Sequence, residues 1–140
     1  MKKIIFVLPL LFVFAAEAKA NFSLNCSVIA DPMDERRAAR TELQFSADPN
    51  DPSLEEYHDQ EGNLIYKLIS WPLLTESDAQ YIATVRFPQR GDVAHDVIIM
   101  KLDQEGIIVA GAGMIIEPSL NGQAQNLFFQ DSNVFIYCSN

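Results

Sequence analysis

The chain has two cysteines, Cys26 and Cys138, near opposite ends of the segment that is expected to fold. No other feature constrains the topology as much. If the two are joined, the first and last segments of the domain lie side by side, and everything between them becomes one closed loop. In the chain-entropy account, closing a loop of that length contributes on the order of 4–5 kcal/mol. Two thiols exposed to an oxidising compartment pair far more readily than they stay free or hold a metal.

The amino terminus argues for such a compartment. Lys2 and Lys3 precede an apolar run of 13 residues, Ile4 to Ala16, and Ala18-Lys19-Ala20 reads as a small-x-small cleavage site. Together they predict a secretory signal peptide over residues 1–20, cleaved near Ala20. The run is too short for a membrane anchor, and no later segment approaches the roughly 18 apolar residues that a spanning helix needs. The expectation is a single domain over residues 21–140, exported to the periplasm or the extracellular space.

Charge narrows the partners. The whole chain carries −9; without Lys2, Lys3, Lys19 and Glu17 it keeps seven basic and eighteen acidic residues, a net −11. Nucleic acids and anionic lipids need a basic face to displace counterions, so neither is an expected partner. Arg36, Arg37 and Arg40 form the densest basic cluster, but Asp34, Glu35 and Glu42 surround it, as on a solvated edge.

The segments that carry the cysteines look like strands. Phe22, Leu24, Cys26 and Val28 alternate with Ser23, Asn25 and Ser27, and Val134, Ile136 and Cys138 form a matching set at the other end. A period of two gives each strand one buried face, with the cysteines on it. Similar runs recur at Leu64–Trp71, Tyr81–Phe87, Val97–Leu102, Ile107–Ile116 and Leu127–Phe129. Turn-forming residues separate them, among them Asp31-Pro32, Asp48 to Pro52, Pro88 to Asp92, Asn121-Gly122 and Asp131 to Asn133. The pattern predicts an all-β, single-domain antiparallel β-barrel or β-sandwich of eight to nine strands, mostly hairpin-connected, with its terminal strands joined by the disulfide. Asp34 to Leu43 is ambiguous between strand and short helix, and the alternation of Thr41, Leu43 and Phe45 favours strand.

Asp-Gln-Glu-Gly occurs twice, at 59–62 and 103–106, in a chain with six glycines. Asp at the first position and Gly at the last match a hairpin turn that ends in a left-handed residue, which glycine adopts at little cost. A calcium loop fits worse, because the residues that follow supply no run of oxygen ligands. A better calcium candidate is the acidic stretch Asp48 to Glu61, with Asp48, Asp51 and Glu55 as ligands, although the expected reading is a solvated loop that Pro49 and Pro52 keep out of regular structure. No cofactor is expected.

Signs of catalysis are few. His58 and His95 are the only histidines, and the chain has no nucleophile elbow, zinc-protease helix, phosphate loop or Cys-x-x-Cys. Arg90-Gly91-Asp92 spells an adhesion tripeptide in an expected turn and is the candidate binding element. The sequence therefore favours a non-catalytic protein-binding module that uses a surface loop or an edge strand. One alternative is a barrel for a small apolar ligand near Trp71, Gly111, Gly113, Phe128 and Phe129. Another is a hydrolase whose histidines and carboxylates converge only in the fold.

Overall fold

The computed structural model describes residues 22–89, 94–116 and 125–140. Its nine strands are β1 (Phe22–Ala30), β2 (Ala39–Ala47), β3 (Glu55–His58), β4 (Leu64–Glu76), β5 (Ala79–Pro88), β6 (His95–Leu102), β7 (Ile108–Ile116), β8 (Asn126–Asp131) and β9 (Val134–Ser139). They form two antiparallel sheets, a terminal sheet in the order β2-β1-β9-β8 and a meander in the order β3-β4-β5-β6-β7. The barrel is not closed. The architecture is a sandwich, and no described helix is long and apolar enough to cross a membrane.

Cys26 and Cys138 are bonded, directly opposite each other on β1 and β9. Their Cα atoms are 4.1 Å apart, the close approach of a non-hydrogen-bonded cross-strand pair. The bridge thus ties neighbours within one sheet rather than spanning the core. Both cysteines are buried, as are Phe22, Leu24, Val28, Leu127, Phe129, Val134 and Ile136 from the terminal sheet. Tyr81, Ala83, Val85, Phe87, Val97, Ile99 and Ile116 supply the facing layer. The period of two seen in the sequence is therefore the inside face of each strand.

Both Asp-Gln-Glu-Gly segments are hairpin turns, joining β3 to β4 and β6 to β7, and they share one hydrogen-bond pattern. The Gly62 and Gly106 amides each donate to the carbonyl of the turn's aspartate at 3.0 Å, and the aspartate amides donate to Asn63 and Ile107 carbonyls at 3.0 and 2.9 Å. Asp59 Oδ1 accepts the amides of Glu61 and Asn63, as Asp103 Oδ1 does those of Glu105 and Ile107. The glycines lie at φ 83° and 79°. The tetrapeptide recurs because the same turn is needed twice.

Three strand boundaries differ from expectation. Glu55–His58, read as part of an acidic loop, pairs with β4 as a short strand. With Tyr57 as its single apolar residue, the segment gives no alternation to detect. β4 runs through Pro72 to Glu76 with a register shift after the proline. β3 pairs with β4 only as far as Leu68, so at Pro72 no described strand pairs with that side of β4 and the missing amide breaks no described ladder. Asp34–Ala38 form a turn, in which the Ala38 amide donates to the Asp34 carbonyl at 2.8 Å, and β2 begins only at Ala39.

A Cβ built on Gly62 or Gly106 would meet nothing within 4 Å, so substitution there costs backbone strain and not collision. Gly106→Val is expected to lower the unfolding free energy by about 1–3 kcal/mol in urea titrations, and Gly106→Asn by less, because asparagine tolerates positive φ.

Candidate functional site

A two-sheet sandwich has four edges, and this one protects three. The β2 edge carries Arg40 and Glu42, paired at 2.6 Å and exposed. The β3 edge is four residues long, with Glu55, Glu56 and His58 on it. The β8 edge is six residues long and ends in Asp131. Shortness and charge are the usual defences of an edge against another strand.

The β7 edge has neither. Its nine residues, Ile-Val-Ala-Gly-Ala-Gly-Met-Ile-Ile, contain no charge and no proline. Ile108, Val109 and Ile115 are 59%, 54% and 62% exposed, and Ile107 just before the strand is 62% exposed. On one side β7 pairs with β6, and no described strand pairs with the other side. Ala112 and Met114 turn inward against the core. Gly111 and Gly113 lie opposite Met100 and Ile98. A Cβ on Gly111 would stand 3.1 Å from the Ile99 carbonyl oxygen, and one on Gly113 3.4 Å from that of Val97. The glycines let β7 lie close to β6 and leave its outer surface bare beside Ile98, which is 39% exposed.

A second apolar surface lies on the outer face of the terminal sheet. Phe128, 58% exposed, has its ring 4.8 Å from that of Tyr137 and 6.1 Å from that of Phe135. Tyr137 donates its hydroxyl to Asn126 Oδ1 at 2.6 Å.

Titratable groups close the two ends of the sandwich. At one end Tyr81 of β5 donates to Asp131 Oδ2 at 2.8 Å, and Lys101 of β6 donates to the same oxygen. The hydrogen bonds from Lys101, Tyr81 and the Ser132 amide lower the Asp131 pKa from 3.8 to about 2. Burial, then the hydrogen bond to Asp131, raises that of Tyr81. This cluster links the meander to the terminal sheet. At the other end His95 packs edge-on against Phe22 and Phe87, with centroids 5.7 and 5.0 Å away. Its Nδ1 is buried and has no partner among the described residues, and burial lowers its pKa.

The remaining candidates scatter. Arg90, Gly91 and Asp92 lie outside the described residues, as do the signal segment and the Asn121-Gly122 turn. Asp48 Oδ1 accepts the Asn50 amide at 2.8 Å, Asp51 Oδ1 that of Ser53 at 2.8 Å, and Glu55 the Tyr57 hydroxyl at 3.0 Å. Glu56 pairs with Lys67 at 3.0 Å, a cation that β4 brings to a stretch with no lysine or arginine of its own. Among the described residues no three histidine, cysteine or acidic side chains form a group able to hold a metal ion. A shallow cleft of about 240 Å³ between Ser53, Glu55, Leu68, Ile69 and Ser70 offers one carboxylate and two hydroxyls.

The histidines sit on β3 and β6, with β4 and β5 between them, about 14 Å apart by strand spacing. The five residues suggested for an apolar cavity diverge as well. Trp71 stacks on Phe45 at 5.1 Å, Phe129 points into the core and Phe128 points out of it. Sequence reasoning identified the Ile107–Ile116 run as a strand but not as an edge, which depends on the order of strands in the sheet. No family model matches this chain, and no curated protein or solved structure does either.

The two end groups give stability a pH dependence in two windows. His95, with a folded pKa below the ordinary 6.5, contributes stability that is complete above that value and lost as pH falls through the folded one. Urea unfolding should show this decline below pH 6.5, and His95→Phe should remove it. Asp131 contributes above pH 3.8 and loses its contribution as the pH approaches 2. With its side chain a quarter exposed, Asp131→Asn should cost on the order of 1–2 kcal/mol at neutral pH.

Proposed function

We propose that this chain is a non-catalytic protein-interaction domain of an exported, oxidising compartment, and that β7 is its contact element. The observation that carries the proposal is the contrast among the edges. Three are short or charged, whereas β7 presents nine uncharged residues with its aliphatic side chains more than half exposed at Ile108, Val109 and Ile115.

An unpaired edge offers alternating amides and carbonyls to an extended backbone, and side chains on either side of the ladder select what binds. Here they are small or aliphatic, so the expected partner segment is extended and apolar. The buried disulfide fits a non-reducing compartment, and the predicted leader fits export. A hydrolase or an apolar-ligand carrier has no comparable support, because the residues that would make either do not meet.

Photo-crosslinking tests the proposal. A benzophenone side chain at position 115, in protein expressed with its leader, is expected to give covalent protein adducts. The same group at position 41, on the exposed but charge-flanked β2 edge, is expected to give none. Absence of any adduct from position 115 would overturn the assignment of β7.

A further inference from the structure

We infer that the strand accepted by β7 is β7 of a second copy, antiparallel and centred on Ala112. The inference rests on the assignment of β7 as the contact element and names its partner. An interface between identical chains related by a two-fold axis must be self-complementary, since residue i meets j and j meets i. Antiparallel pairing of two identical strands meets this condition when the sequence has the same character read in both directions from its centre.

β7 has that character. Outward from Ala112, Gly111 is matched by Gly113, Ala110 by Met114, Val109 by Ile115 and Ile108 by Ile116. Across the dyad, Ala112 would face Ala112 with glycine facing glycine on either side, and β-branched aliphatic residues would face each other towards the ends. Such aliphatic pairs are favourable cross-strand neighbours.

Steric fit and charge agree. Gly111 and Gly113 place no side chain on the outer surface, so two β7 strands could meet there without a step in the joined sheet. Val109 is the extra residue where the β6–β7 register shifts; it is 54% exposed, which leaves its side chain accessible to Ile115 of the second copy. Two chains that are each strongly acidic would meet along a strip without charge. A β3–β3 pairing would instead bring Glu55 and Glu56 of both copies together, and like charges directly opposite are destabilising. The product would be one continuous sheet built from two five-stranded halves.

Sedimentation velocity on the disulfide-bonded domain provides the test. The wild type should be a concentration-dependent dimer in the micromolar range. Val109→Lys and Ile115→Glu should each shift it to monomer at the concentration where the wild type is dimeric. The double variant V109K/I115E should recover the dimer, because the introduced charges of opposite sign face each other twice if the register is centred on Ala112. Circular dichroism melting of each variant separates loss of pairing from loss of fold.

A wild type that stays monomeric up to millimolar concentration would overturn the inference. So would single variants that remain dimeric while folded, or a double variant that stays monomeric. The crosslinking experiment keeps the two ideas apart. Adducts from position 115 only with other proteins would sink self-pairing and leave β7 as the contact element, whereas no adduct at all would sink both.

Discussion

The bond between Cys26 and Cys138 decides where every strand end can go. It joins residues 112 positions apart, so the whole domain is one loop, and closing it removes conformational freedom chiefly from the unfolded chain. Because the bridge is a directly opposed pair on adjacent strands, β1 and β9 are neighbours, and they form the middle of their sheet. β2 and β8 then become its edges by hairpin connection. The chain between β2 and β8 forms the second sheet as a meander, and the first and last strands of an open meander, β3 and β7, are its edges. The exposure of β7 is thus a consequence of its place at the end of the meander.

Rings and one polar cluster hold the sheets together. Phe22 meets Phe87, Phe45 stacks on Trp71, and Tyr81 meets Phe129, so the two layers touch along their length. Apolar packing has little directional preference. The Tyr81–Asp131–Lys101 cluster adds direction, since Asp131 Oδ2 can accept from both partners only when β8 stands over the ends of β5 and β6.

Much of the fold was legible because it follows local rules. Alternation at Phe22–Val28 and Val134–Cys138 marked the terminal strands, and two identical tetrapeptides marked identical turns. What was hidden depends on strand order. Glu55–His58 looks like loop because every one of its side chains is exposed, and Pro72 ends a strand by rule but not where the neighbouring strand has already stopped. Tyr81 and Asp131 are 50 residues apart, so no spacing connects them. The apolar run at Ile107–Ile116 marked a strand but not its place in the sheet, because hydrophobic composition cannot distinguish a core strand from an undefended edge.

The functional account therefore depends on the β7 edge being open in a single copy and covered on association. Residue-resolved amide exchange over a range of protein concentration tests this most directly. The account predicts that every second β7 amide exchanges freely in dilute solution and becomes protected as concentration rises, while β1 and β9 amides stay the most protected throughout. Protection of all β7 amides at the lowest concentration, or new protection on the β2 or β8 edge instead, would contradict it.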